Sequence, residues 1–390
     1  MAGNGSIEKR GSNSWRLVYS MKFNQHGKRI KKQKTVKAKN KTEARRMLAE
    51  FIAEIEAGEY VDPSQIKFSD FVEEWKGKHA KKHLSPKTLE NYMYPLNNFI
   101  LPSLGYFRLE DIKPIHIIDY LDSLEQDGVR KDGKPGGLAS SSILYHYRIL
   151  KDIFSRAHEW KIIKYNPVAS VKRPKVDQVK TEVYTDEEVR ELFIKLQDEP
   201  IHQRIMITLA ITTGLRRGEL LGLQWEDIDL ENRTIEVNHS LQHIKGEGYH
   251  LKKPKTSSSE RTVVMNSFVV EEMKKYSHQK KKERLQAAEL WDGGKHNFVF
   301  STWNGKPYYP TVPGTWWRRF IKRTGFKYIR FHDLRHTAAA LLINQGVHAK
   351  VISERLGHAD IKTTMNVYGH YMRQADEEAA DKLDTLFKAR

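Results

Sequence analysis

The stretch from Phe331 to His370, FHDLRHTAAALLINQGVHAKVISERLGHADIKTTMNVYGH, holds His332, Arg335, His336, His358 and Tyr368. Apolar Leu334, Ala338, Leu341, Leu342, Val351, Ile352 and Leu356 recur at helical spacing and read as one packed face. That periodicity leaves the histidines, the arginine and the tyrosine unexplained. Upstream, TTGLRRGELLG puts Arg216 just after a break at Gly214, with Glu219 three residues on and on the same helical face. His332 and Arg335 repeat that spacing. Taken singly, each arginine reads as a surface cation with an ion-pair partner. Together they suggest phosphate chemistry, because a guanidinium is a planar, permanently charged fork that matches phosphate oxygens in bidentate fashion. Two such forks can neutralise a phosphodiester as it becomes a more negative, pentacoordinate transition state. Imidazoles beside them can donate hydrogen bonds or move protons, and a nearby tyrosine can serve as a covalent nucleophile.

Two other readings compete. His332 and His336 have the i, i+4 spacing of a zinc pair, but the motif is His-Asp-Leu-Arg-His rather than H-E-x-x-H, and Arg335 between them repels a dication. TAAALLINQGVHAKVISERLGH also has the helix–glycine–helix form of a helix-turn-helix, with Gly346 at the turn. A DNA-binding regulator would then use the segment without cutting anything.

The elements that must position these residues are legible in coarse form. SWRLVYSMKF alternates Trp15, Leu17, Tyr19, Met21 and Phe23 on one face of a strand; NQHGK is a turn, and KRIKKQKTVKAK supplies one or two more strands. TEARRMLAEFIAEIEAG reads as a helix capped by Thr42, with a stripe of Leu48, Phe51, Ile52 and Ile55 and a stop at Gly58. Residues 62–64 look like a linker. From Phe68 to about Val168 the pattern is helical, with prolines after Ser85 and Lys113 marking helix starts and RKDGKPGG, 130–137, a flexible loop. A second Pro- and Lys-rich linker is expected over 166–180. Beyond it, TDEE at 185–188 is a capping box that turns Val189, Leu192, Phe193 and Leu196 inward. RTIEVNHSLQ and RTVVM read as strands flanking the lysine-rich LKKPKTSSSE, and the C-terminal half returns to helix.

The 390 residues exceed one ordinary core, so two or three domains are expected. With 67 Lys and Arg against 49 Asp and Glu, the formal charge is +18, which favours a polyanionic partner, nucleic acid before a membrane surface. Residues 1–46 alone hold 14 Lys and Arg and only 2 acidic residues. There is no cysteine, so disulfides and thiolate metal sites are excluded. No apolar run approaches the ~20 residues of a membrane span, and no signal-peptide pattern opens the chain, so a cytoplasmic protein with no membrane association is expected.

TTGLRRGELLGLQWEDID, LKKPKTSSSERTV, FHDLRHTAAALLINQG and LGHADIKTTMNVYGH, in that order, closely resemble the sequence boxes of the tyrosine recombinases, specifically phage- and transposon-type integrases. The resemblance covers roughly 181–372. It implies an α+β multidomain fold: a small β-sheet-plus-helix module that binds arm-type DNA (1–60), an all-α core-binding domain (66–170) and a mainly α catalytic domain with a small β-sheet and a C-terminal helical tail (181–390). Carried over residue by residue, Arg216, Arg335 and His358 hold the scissile phosphate, Lys255 is the general acid and His332 a proton acceptor or hydrogen-bond partner. Tyr368 is the nucleophile, while Glu219 and His336 support the site. Lys252 and Lys253 lie close enough to Lys255 to compete for its role. The implied reaction cuts and rejoins DNA through a 3′-phosphotyrosyl bond with no metal, ATP or other cofactor. Its implied partners are double-stranded DNA with core and arm-type attachment sites, three further copies of the chain in a tetramer on that DNA, and an accessory DNA-bending or excision factor. The tail 372–390, with Ala375, Ala379, Leu383 and Leu386 on one side, can dock on a neighbouring subunit or fold back on its own domain. A regulator that kept the fold and a type IB topoisomerase remain the alternatives.

Overall fold

A computed structural model of the chain describes residues 5–23, 29–56, 66–176, 181–253, 260–358, 360, 361 and 365. The NQHGK turn, Gly58, the 62–64 linker, Lys255, Tyr368 and the 372–390 tail lie outside the described residues, as do the side chains of Met21 and Phe23. The chain divides into two compact units, Met1–Asp177 and Gln178–Arg390.

In the first unit, the Trp15, Leu17, Tyr19 alternation produces a strand whose odd residues are buried. This strand, β2 (Ser14–Phe23), lies between β1 (Gly5–Lys9) and β3 (Arg29–Lys37) in an antiparallel sheet, with Leu17 opposite Ile7 on one side and Lys34 on the other. The lysine-rich segment therefore forms one strand. Helix α1 (Lys41–Glu56) lays Phe51 and Ile55 on Leu17 and Tyr19. Its cap is Asn40 rather than Thr42: the Asn40 side-chain oxygen accepts from the Glu43 amide at 2.9 Å, and the Glu43 carboxylate accepts from the Lys39 amide at 2.7 Å. An amide oxygen one residue before the helix reaches the third N–H, a geometry that Thr42, already inside the helix, cannot supply.

The helical part has a core of its own around Trp75, Ile100, Leu150 and Phe154. Helix α2 (Phe68–Trp75) passes through a π turn into α3 (Lys81–His83), and α4 (Pro86–Pro95) through another, Leu96–Ile100, into α5 (Leu101–Leu104). Pro95 and Pro102 each withdraw an N–H from the ladder, and the wider turn between them accommodates the loss. Ser85 caps α4 by accepting from the Thr88 amide at 3.2 Å. Helices α6 (Pro114–Ser123) and α7 (Ser140–Glu159) complete the bundle. Residues 130–137 are tied down by carboxylates: Asp132 accepts from Arg130 at 2.7 Å, and Asp127 from the Gly136 amide at 2.6 Å. The segment expected to be a linker from 166 is also structured. Asn166 accepts from the Val168 amide at 2.9 Å, and Val168 and Val171 are buried in the helical core, so their burial outweighs the loop-like composition.

His146, on α7, is buried and shares a 2.6 Å hydrogen bond with Tyr120. Burial pushes its pKa down to about 4. Because the folded value lies below the unfolded value of about 6.5, this residue's contribution is complete above pH 6.5 and is lost as pH falls through 4. Denaturant titrations at pH 7 and pH 4.5 should differ by about 2–3 kcal/mol from this residue alone, a share that His146→Gln removes.

The second unit opens with the capping box as read: Thr185 Oγ1 accepts from the Glu188 amide at 3.2 Å and Glu188 from the Thr185 amide at 2.9 Å, starting α8 (Asp186–Lys195). Then come α9 (Ile201–Thr213) and α10 (Arg217–Gly222), followed by five short strands: β4 (Ile228–Asp229), β5 (Thr234–Val237), β6 (Ser240–Ile244), β7 (Gly248–Lys252) and β8 (Arg261–Val264). RTIEVNHSLQ is two strands in two sheets. Its first half joins the β4-β5-β8 sheet, and its second half pairs with β7 and buries Leu241 against the main core. Helices α11 (Ser267–Ala287), α12 (Val312–Thr324), α13 (Asp333–Asn344) and α14 (Ala349–Leu356) complete the unit. Ile352 and Leu356 of α14 pack on Ala339 and Ile343 of α13, but Val351, expected on that face, is 52% exposed because it falls on the opposite side of the short helix. Among the described residues, no helix is long and apolar enough to cross a membrane.

Candidate active site

The end of α14 organises the site. The His358 amide donates to Ser353 O at 3.0 Å and the Gly357 amide to Glu354 O at 2.9 Å, the paired bonds of a Schellman stop, with Gly357 at φ 66°. The next three carbonyls, of Arg355, Leu356 and Gly357, carry the negative end of the helix and have no partner within it. Each accepts from a different arginine. Arg261 Nε donates to Arg355 O at 2.7 Å, Arg335 Nη2 to Leu356 O at 2.5 Å, and Arg216 Nη2 to Gly357 O at 2.6 Å.

The end of α9 meets the same cluster. Gly214, at φ 66°, stops the helix, and its carbonyl accepts from Arg335 Nη1 at 2.6 Å, while Thr212 O accepts from Arg355 at 2.9 Å. The turn then delivers Arg216 to the start of α10. Glu219, buried on that helix, accepts from the Arg216 amide at 3.0 Å, from Arg216 Nη1 at 2.6 Å and from Arg261 Nη2 at 2.9 Å. Arg335 is almost fully buried, whereas the Arg216 side chain is 36% exposed. Among the described residues, two of the five N–H groups of Arg216 are committed to these partners.

The electrostatics follow from three guanidiniums sharing one carboxylate. Burial, then the charge of Arg216, push Arg335 down to about 9, with Arg261 adding and Glu219 opposing. His358 is driven to about 4, first by burial and then by Arg335 and Arg216, so it is neutral at pH 7 and can donate only one ring N–H. Burial raises Glu219, but the hydrogen bond and charge of Arg261, then Arg216, prevail and hold it below the usual glutamate value. Three guanidiniums beside one carboxylate give this cluster a net positive charge, which suits an anionic ligand.

Helix α13 presents the remaining histidines. Asp333, buried at its first turn, accepts from the Arg330 amide at 3.0 Å and from Arg330 Nε at 2.8 Å, fixing the helix start. His332 precedes it at the solvent-exposed edge, with its ring perpendicular to that of His336 and 5.5 Å away. Both pKa values are lowered, first by partial desolvation and then, for His332, by His336 and Arg335, and His336 is near enough to lower His358 as well. Arg216, Glu219, Arg335, His336 and His358 thus share one neighbourhood, with His332 at its rim. The reading from sequence missed Arg261 and Arg355. Neither sits in a spacing pattern with Arg216, and only the polar run before β8 hinted at Arg261. Among the described residues, no three His, Asp or Glu side chains are arranged to hold a metal.

Gly214→Ala is expected to destabilise this unit by about 2–4 kcal/mol, combining the left-handed backbone penalty with overpacking. A Cβ there would sit 2.1 Å from Leu356 Cδ2, on the helix that carries the arginine seats. Denaturant unfolding of wild type and variant measures it.

Residues 182–375 match the model of the phage integrase family, and 67–124 match the N-terminal SAM-like domain of phage integrases. The ICEBs1 integrase of Bacillus subtilis is 32% identical over 301 residues, 77% of this chain and 78% of that protein. This chain belongs to the phage integrase family. It is a tyrosine-type site-specific recombinase. A tyrosine recombinase XerC-like protein of Caldanaerobacter subterraneus is 28% identical to the integrase over 99% of this chain and 100% of the relative. The integrase of the Tn1549 transposon, solved in complex with a circular intermediate DNA, has the same fold, with a TM-score of 0.63 and 23% identity over 80% of this chain and 98% of that one.

Proposed function

We propose that the integrase cuts and rejoins duplex DNA to integrate and excise a mobile element, through a 3′-phosphotyrosyl intermediate formed on Tyr368. The observation that carries the reading is the meeting of Arg216, Arg335 and a neutral His358 at the end of α14, where the guanidiniums of Arg216, Arg261 and Arg335 surround Glu219. Arg216 and Arg335 would hold the non-bridging oxygens of the scissile phosphate, with His358 donating to the same group. The Tyr368 oxygen attacks phosphorus and the bond to the 5′ oxygen breaks. Lys255 protonates that leaving oxygen, and His332 accepts the phenolic proton or hydrogen-bonds the phosphate. Attack by the 5′-hydroxyl of a second strand reverses the sequence and releases the tyrosine. Bond energy is conserved in the phosphotyrosyl ester, so rejoining needs no ATP.

Exchange between two sites calls for four active sites, which makes a tetramer on DNA the working form. Three modules divide the work, with 1–60 for arm-type sites, 66–170 for the core site and 181–390 for chemistry. Separate buried clusters around Leu17, Trp75 and Ile207 support that division. An accessory DNA-bending or excision factor would set direction.

Covalent capture tests the proposal. The protein is incubated with DNA spanning the ends of its source element and denatured with SDS, and the attached DNA and peptide are sequenced. One adduct, at a defined site and on Tyr368, is expected. Adducts scattered along the DNA would indicate a topoisomerase, and tight binding without an adduct a regulator.

A further inference from the structure

We propose that Arg261 is a positioning residue for strand cleavage, holding both anchors of Arg216 in place from outside the phosphate site. The inference rests on the reading above that Arg216 binds the scissile phosphate. Arg261 opens β8, yet its side chain is only 7% exposed. Nη2 donates to Glu219 Oε2 at 2.9 Å, leaving Oε1 for Arg216 at 2.6 Å. Nε donates to Arg355 O at 2.7 Å, and the guanidinium lies against Gly357, where a Cβ would come within 2.9 Å of Nη1. Gly357 O is the second acceptor of Arg216. One buried fork therefore touches the two groups that hold Arg216.

The placement is costly on any purely structural account. Arg261 adds a second buried cation beside Arg335, close to the partly exposed Arg216, and its charge also reaches His358. A neutral strand residue packed on Gly357 would avoid that repulsion. What the cation provides is a carboxylate kept ionised and held by one oxygen, so that its other oxygen orients Arg216. Glu219 without Arg261 keeps its burial and loses the largest influence that lowers its pKa.

The test compares full-length wild type, Arg261→Gln, Arg261→Lys, Glu219→Gln, the Arg261→Gln/Glu219→Gln double variant and Arg216→Gln. Single-turnover cleavage is followed on a nicked duplex carrying the sequence recovered by covalent capture, from about pH 5 to about pH 9. Arg261→Gln should slow cleavage by about 10²-fold with DNA binding retained. The acid limb of its profile should move to higher pH, because Glu219 then protonates more readily. The double variant should lose clearly less than the product of the two single losses, since Arg261 acts in part through that carboxylate. Cleavage by Arg261→Gln within about threefold of wild type overturns the inference. So does a slower rate with an unmoved acid limb and losses that multiply in the double variant, since mere damage to the fold behaves that way. Should Arg261→Gln fail to fold, Arg261→Lys decides. One ammonium cannot span Glu219 and Arg355 O, so a loss of about tenfold is expected and a wild-type rate refutes the role. Arg216→Gln separates the two levels: if it cleaves normally, the phosphate-clamp reading falls, whereas an inactive Arg216→Gln beside a fully active Arg261→Gln sinks only the role of Arg261.

Discussion

Arg335→Gln slows strand cleavage by about 10³-fold or more while the second unit keeps its fold and the protein still binds DNA. The kinetic loss follows from geometry. The guanidinium of Arg335 is seated on Gly214 O and Leu356 O, so the fold fixes its orientation. Preorganised charge of this kind is worth most where water is excluded, and Arg335 is 3% exposed. The effect on stability is a balance. Glutamine leaves one of two buried carbonyls without a donor, which costs about 1–3 kcal/mol, but it also removes a cation whose burial and proximity to Arg216 and Arg261 push its pKa down to about 9. These opposing terms leave the unfolding midpoint little changed. Arg335→Lys retains the charge and loses the fork, so it should fall between wild type and Arg335→Gln, on the order of 10²-fold down. Single-turnover cleavage and denaturant unfolding on the same preparations check both halves; a variant whose cleavage stays near wild type would remove Arg335 from the phosphate clamp.

Tyr368→Phe leaves no SDS-stable adduct, a loss on the order of 10⁴-fold or more in cleavage, with DNA affinity within about threefold of wild type. Only one oxygen atom is removed. Affinity for the duplex comes from lysines and arginines on the phosphate backbone, which the change does not touch. Phenylalanine has no oxygen with which to form a phosphotyrosyl ester, so any residual cleavage has to come from another nucleophile. Gel shift and denaturing electrophoresis on one DNA separate the two effects. A persistent adduct would move the nucleophile elsewhere, and Tyr371, three residues on, would be the first candidate.

Local rules carried much of the architecture. Strand alternation over Trp15, Leu17 and Tyr19, the capping box at Thr185 and Glu188, and the helix starts at Pro86 and Pro114 are decided within a few residues, and each stands where its spacing put it. Arg216 and Glu219 are a contact of the same kind, three residues apart on one helix. Nearness in sequence also misled. Thr42 and Asn40 both precede the apolar stripe, and only the backbone path shows which oxygen reaches the Glu43 amide. RTIEVNHSLQ has strand composition throughout, but a sheet edge and a core position for Leu241 divide it.

The sequence by itself determined the elements, the residue types of the candidate site and the resemblance that assigns their roles. Only the tertiary structure decided what aims them. Arg216 meets Gly357 across 141 residues, Arg335 meets Gly214 across 121 and Arg261 meets Arg355 across 94. No periodicity reports a hydrogen bond to a distant carbonyl, because every residue carries the same carbonyl whatever its side chain. Which carbonyls lack a partner depends on where a helix ends, and which arginines reach them depends on how separate helices pack.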